Sequence, residues 1–203
     1  GADELRGGTG NDRLYVDGDD TVIEGGDGID RIDVQGTDGV SFGAGASIET
    51  AVGNVGDDSF DGSDLEPRAT YYGRDGDDQL AGGSAADRLY GDAGADQLDG
   101  GAGNDSLSGG TGADTLSGGT GNDSLNGGAD NDILAGGEGN DRLTGGAGAD
   151  ELRGGDGNDR ITADGEDTVV DGGAGTDRVD VTGSQNFNLN MTTSSVEQVY
   201  SAA

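Results

Sequence analysis

Aspartate recurs at every ninth residue through the middle of this chain. Asp78, Asp87, Asp96, Asp105, Asp114, Asp123, Asp132, Asp141, Asp150 and Asp159 follow one another without a break in the period. A carboxylate can bind a hard cation, serve as a general acid or base, or cap a turn. Neither His nor Cys occurs anywhere in the sequence. That removes imidazole and thiolate metal sites, and with them Ser-His-Asp and Cys-His catalysis. Only oxygen ligands remain, and oxygen ligands suit Ca²⁺ or Mg²⁺. One such Asp alone would read as a solvated turn residue; ten in one register do not. An EF-hand fits poorly, because no segment offers its loop with a closing Glu and the flanks are too glycine-rich for helices.

Composition limits what could hold these carboxylates in place. Of 203 residues 46 are Gly, hydrophobics make up 30% and aromatics 4%, and the formal net charge is −32. Low hydrophobicity with high net charge marks a chain that cannot bury enough apolar surface to fold unaided. The acidic balance opposes binding to nucleic acid or anionic membranes and favours cations as partners. No apolar run is long enough to span a bilayer and no segment reads as a secretory signal, so membrane insertion is not expected.

The glycine is periodic, and this changes the reading. From Gly73 to Thr162 the sequence divides into ten nonapeptides without a gap, among them GGAGNDSLS, GGTGADTLS and GGTGNDSLN. Position six is always Asp, and position eight is Leu in nine of them and Ile161 in the last. Gly at positions one, two and four supplies positive φ and lets carbonyl groups crowd around an ion. Triplets such as Ser106-Leu107-Ser108 alternate polar, apolar and polar, as a half-buried strand does. One buried leucine is a small return for ordering nine backbones. A metal must therefore supply much of the difference.

These nonapeptides resemble the glycine-rich repeat of the RTX family, GGxGxDxUx with U a large apolar residue. The resemblance implies an all-β fold, a right-handed parallel β-roll (a β-solenoid). Each nonapeptide is a six-residue turn followed by a three-residue strand, two nonapeptides complete one coil, and calcium ions lie in both rows of turns. Residues eighteen apart then stack. One column holds Asp78, Asp96, Asp114, Asp132 and Asp150; the other holds Asp87, Asp105, Asp123, Asp141, Asp159 and, one step further, Asp177. Carboxylates stacked at strand spacing repel unless a cation lies between them. Each Ca²⁺ would take one carboxylate from each of two coils and complete its shell with turn carbonyls. That gives four gaps in the first column and five in the second. Ala85 at position four should weaken the site at Asp87, because positive φ is costly for a residue with a Cβ. Asp130, in the same place in its repeat, tolerates it better, and Arg74 and Asp92 replace glycine at position two.

A larger duplication frames the array. Residues 2–34 align with 149–181 without a gap, so Asp3, Asp12, Asp20 and Asp30 are counterparts of Asp150, Asp159, Asp167 and Asp177. In each copy one repeat is short by a residue. The N-terminal block is therefore expected to carry calcium too, and Asp58, in the GDD turn of the connector that follows, joins the candidates. The expected divisions are an N-terminal RTX block at 1–33, connector coils with few metals at 34–72, the main roll at 73–180 and a connector or cap at 181–203. The chain begins inside a repeat and stops where the duplicated connector should continue, so a longer parent with further domains is expected.

By resemblance, RTX proteins leave Gram-negative bacteria through type I secretion machinery. The leading expectation is thus a non-catalytic calcium-binding module that folds outside the cell, secreted or at the cell surface. The alternative is a calcium-rigidified segment of a surface-layer protein or large adhesin. Recognition of a polysaccharide or of ice ranks below both, since no threonine ladder or aromatic platform emerges from positions seven and nine. A catalytic role for the repeated carboxylates ranks lower still, each having a metal role already.

Overall fold

The computed structural model describes residues 1–43 and 45–182 and the strand Val196–Ser201. The rest of the expected C-terminal connector, residues 183–195 and 202–203, lies outside the described residues. Among the described residues there are 21 strands and no helix. Successive strands of the nonapeptide array alternate between an eleven-stranded and an eight-stranded parallel sheet. A third, two-stranded ladder pairs Glu4–Thr9 with Val22–Asp27. The result is a parallel β-solenoid with two nonapeptides per coil. Leu107 lies opposite Leu125 and Leu125 opposite Leu143 in one sheet, while Leu98, Leu116 and Leu134 line up in the other. Every step is eighteen residues.

The paired segments are longer than the expected triplets. Ser106–Thr111 and Thr115–Thr120 each run six residues, reaching into the glycine turn. Identical coils stack identical backbones, so Gly110 pairs with Gly128 and Thr111 with Ala129. The turn beyond also bonds along the axis, Gly121 N–H donating to Glu138 O at 2.7 Å. Gly121 shows why this position resists a side chain: its φ is +131°, and a Cβ would collide with Gly103 O on the coil below. Arg74 (φ 90°), Asp92 (φ 76°) and Asp130 (φ 78°) adopt the left-handed geometry of the glycines they replace. The turn survives these substitutions by accepting the strain.

Each nonapeptide contributes one core residue. Leu80, Leu89, Leu98, Leu107, Leu116, Leu125, Leu134, Leu143, Leu152 and Ile161 are all at most 2% exposed. Between Val34 and Thr70 the coils widen: Arg31 pairs with Thr50 and Thr50 with Thr70, steps of nineteen and twenty. Aromatic rings fill the extra room there. Phe42 stacks on Phe60 at 5.1 Å, and Tyr71 meets both edge-on at 5.8 Å. The buried Tyr71 hydroxyl donates to Ile48 O at 2.7 Å. Outside the core Tyr72 stacks on Tyr90. Truncation at the centre of the stripe tests this packing: Leu134→Ala should cost about 2–5 kcal/mol. Urea unfolding of the folded protein measures it, with exposed Ser124→Ala as the near-neutral control.

Candidate metal centres

The coil repeat holds the aspartates in two continuous columns. Each carboxylate uses one oxygen to grip the coil before it. Asp78 N–H donates to Asp96 Oδ1, Asp96 to Asp114, Asp114 to Asp132 and Asp132 to Asp150, at 2.8–2.9 Å. In the other column the ladder runs from Asp87 to Asp105, Asp123, Asp141, Asp159 and Asp177 at 2.7–2.9 Å. Asp12 N–H reaches Asp30 in the same way at 2.8 Å.

The second oxygen has no such use. Oδ2 is buried without a hydrogen-bond partner in Asp12, Asp30, Asp78, Asp96, Asp105, Asp114, Asp123, Asp132, Asp141, Asp150, Asp159 and Asp177. It also faces other acceptors. A Cβ built on Gly100 would lie 2.5 Å from Asp105 Oδ2 and 2.6 Å from Gly118 O on the next coil. Position one is therefore glycine because a carboxylate oxygen and a carbonyl oxygen both close on it. Buried oxygens converging without a donor call for a proton or a cation. Among the described residues no three carboxylates gather at one point. Each level instead offers two carboxylates and turn carbonyls, an all-oxygen donor set that fits Ca²⁺.

The family model of the RTX calcium-binding nonapeptide repeat (4 copies) matches residues 1–33, 72–107, 108–143, 135–170 and 144–179. The chain belongs to this family. No curated protein matches the chain. The RTX repeats are calcium-binding repeats, and the orphaned oxygens lie inside the matched segments.

Burial raises the pKa of these RTX carboxylates. Desolvation is the largest cause throughout, reinforced in most by neighbouring carboxylates and opposed by the N–H donors. It takes Asp78, Asp105 and Asp132 to about 7, and Asp96, Asp114 and Asp159 to about 6. Asp123, Asp141 and Asp150 move in the same direction.

Five of the residues singled out from the sequence differ from this pattern. Asp3 is exposed. Asp87 Oδ2 accepts the N–H of Gly83 at 2.7 Å. Neither Gly83 nor Ala85 takes positive φ, so the turn that Ala85 disfavours is replaced by one that closes on its own carboxylate. Asp58 Oδ2 accepts Asn54 N–H at 3.1 Å. In the shortened repeats Asp20 Oδ2 and Asp167 Oδ2 accept the N–H of Asp17 and Asp164, each at 2.8 Å. Register explains these two: Leu5 pairs with Ile23 and Leu152 with Val170. Thr21 and Thr168, not the aspartates, thus occupy position six.

Sequence reading passed over Glu49. It is 6% exposed, and its Oε2 accepts Asp30 N–H at 2.7 Å, so it follows Asp30 in the second column. Ala69 takes the next place, donating its N–H to Asp87 Oδ1 at 2.6 Å. The signal was faint: Glu-Thr-Ala in the first connector has the spacing of Asp-x-U, but Ser47 and Ala51 stand where the motif has glycine and a large apolar residue. Asp33 and Asp180 show the other use of aspartate here. Lying outside the columns, they sit below the usual carboxylate range because of hydrogen bonds, first from Arg31 with Arg13, and from Arg178 with Arg160.

Proposed function

We propose that the chain is a calcium-driven folding module. Calcium fills both columns, the coils lock onto one another, and the chain stays unfolded where calcium is scarce. The observation that carries this reading is the set of buried Oδ2 atoms without donors. A metal-free solenoid must either protonate them or bury unpaired charge. The ions would be held by Asp78, Asp96, Asp114, Asp132 and Asp150 along one edge, and by Asp105, Asp123, Asp141, Asp159 and Asp177 along the other. Asp12 and Asp30 hold theirs in the N-terminal block, and carbonyls such as Gly118 O complete the shells. Asp3, Asp20, Asp58, Asp87 and Asp167 close or border the columns and bind weakly or not at all.

Extracellular calcium modules commonly bind at about 10⁻⁴–10⁻³ M. Such a module is empty inside a cell and loaded outside it, and a ligand that binds only the folded state stabilises it by mass action. A secreted or surface parent, leaving through a type I system and folding as it meets calcium, fits that behaviour. Far-ultraviolet circular dichroism of calcium-stripped protein is the test. Ca²⁺ should bring a cooperative gain of β signal that Mg²⁺, demanding tighter octahedral geometry, does not. A spectrum already β-rich in chelator at pH 8 would sink the reading.

A second reading has its own support. The Arg13–Asp33–Arg31 and Arg160–Asp180–Arg178 clusters are 147 residues apart in sequence and alike in pairing. A parent built from repeated units of this length would use calcium to stiffen a spacer or adhesive stalk. The length of the parent chain separates the two.

A further inference from the structure

We propose that Ser47 and Glu49, in the first connector, complete a calcium site with Asp30 that the nonapeptide motif does not describe. This rests on the reading of the aspartate columns as calcium sites. The family match ends at residue 33 and resumes at 72, so both residues lie outside it. Asp30 is fully buried, and its Oδ2 has no hydrogen-bond partner.

The level above Asp30 copies a regular one atom for atom. Between Asp105 and Asp123, Asp105 N–H donates to Asp123 Oδ1 at 2.7 Å, Gly100 N–H to Ser117 O at 2.9 Å, and Ser124 N–H to Asp105 O at 2.8 Å. Between Asp30 and Glu49, Asp30 N–H donates to Glu49 Oε2 at 2.7 Å, Gly25 N–H to Ala46 O at 2.7 Å, and Thr50 N–H to Asp30 O at 3.0 Å. A Cβ on Gly100 would meet Asp105 Oδ2 and Gly118 O; one on Gly25 would meet Asp30 Oδ2 and Ser47 O. Ser47 O therefore stands where Gly118 O stands, and Glu49 where Asp123 stands.

The two levels differ in the length of the turn. Gly118 to Asp123 is five steps, whereas Ser47 to Glu49 is two. A turn three residues shorter leaves the carboxylate-bearing backbone less room to approach, and the extra methylene of Glu restores the reach. Ser47 takes φ 53°, a conformation that a residue with a Cβ holds only when its surroundings impose it. Here it aims a carbonyl at the orphaned carboxylate. Because Ala69 occupies the next place in the column, Glu49 serves one gap and should hold one ion.

Bound calcium per chain, counted by equilibrium dialysis at saturating Ca²⁺, tests the site, with circular dichroism reporting the fold. Glu49→Gln keeps an oxygen for Asp30 N–H but loses the charge. Glu49→Asp keeps the charge but loses the reach. Both should bind one ion fewer than the parent chain with an unchanged β signal. A purely structural Glu49 would leave the count of Glu49→Gln unchanged, which overturns the proposal. So would a Glu49→Gln chain that stays unfolded at saturating calcium, because coils contact only their neighbours and a loss at one level should spare the central repeats. Asp123→Ala is the internal reference. If it too binds the full count, the reading of the columns fails and this inference falls with it. If it loses ions while the Glu49 variants do not, only this inference fails.

Discussion

Calcium-stripped protein is expected to be unfolded at pH 8 and to regain β structure as the pH is lowered toward 5, protons standing in for the missing ions. The sign follows from the direction of the shifts. An unfolded Asp titrates near 3.9. In the metal-free solenoid burial holds Asp78, Asp105 and Asp132 near 7, and Asp96, Asp114 and Asp159 near 6. Below about pH 4 these groups are protonated in both states, and the solenoid bears no cost for burying them. As pH rises from about 4 toward 7 the unfolded chain is already ionised while the folded one holds its protons or must bury charge, so the folded state loses stability progressively across that window. Calcium reverses the preference, because it binds the carboxylate form. Its affinity should therefore rise with pH over the same window, and adding it at pH 6.5 should release protons. Circular dichroism against pH in stripped protein, with light scattering to exclude aggregation, and a pH-stat trace on calcium addition give the two readouts. A metal-free β signal that is flat from pH 8 to 5, or calcium binding without proton release, would mean that the buried carboxylates do not govern folding.

How much of this was legible in the sequence depended on periodicity. Where nonapeptides run unbroken, from Gly73 to Thr162, residue type specifies place. Leu at position eight is core, Asp at position six faces the neighbouring coil, and the step of eighteen follows once two nonapeptides make a coil. Turn conformation was less legible. Position-two Arg74 and Asp92 keep the left-handed geometry of glycine, whereas Gly83 and Ala85 abandon it, although Gly83 could adopt it at no cost. The outcome turns on which N–H can reach Asp87, which single residues do not encode. The shortened repeats posed a different problem. Alignment by motif makes Asp20 and Asp167 the counterparts of the column aspartates, but pairing of the buried stripe governs register, and it aligns Ile23 with Leu5 and Val170 with Leu152. The carboxylates are left one residue early, and they close their own turns. Glu49 keeps only the spacing of Asp-x-U, because the carboxylate place recurs in space while the turn before it is shorter and differently built.

Substitution in the middle of a column should separate the two roles of each aspartate. Asp123 is shared by two gaps, one toward Asp105 and one toward Asp141, so Asp123→Ala should bind two ions fewer than the parent chain. It also leaves Asp105 N–H without its acceptor, a buried loss of about 1–3 kcal/mol. The calcium midpoint should rise and the transition should broaden, since the coils on either side are no longer bridged. Asp123→Asn predicts something different. The amide keeps an oxygen for Asp105 N–H and places an NH₂ beside Gly136 O, where the carboxylate oxygen had no donor. The same two ions should be lost, yet the metal-free form should gain stability at pH 8, because a buried unpaired charge has become a donor. Extended to Asp105, Asp123, Asp141 and Asp159 together, the exchange should yield a chain whose β signal in chelator exceeds that of the parent and whose pH dependence is correspondingly flattened. If the fourfold Asn chain instead needs more calcium to fold than the parent, cation bridging does more than neutralise buried oxygens. The ions would then have to act as cross-links whose geometry no hydrogen bond reproduces.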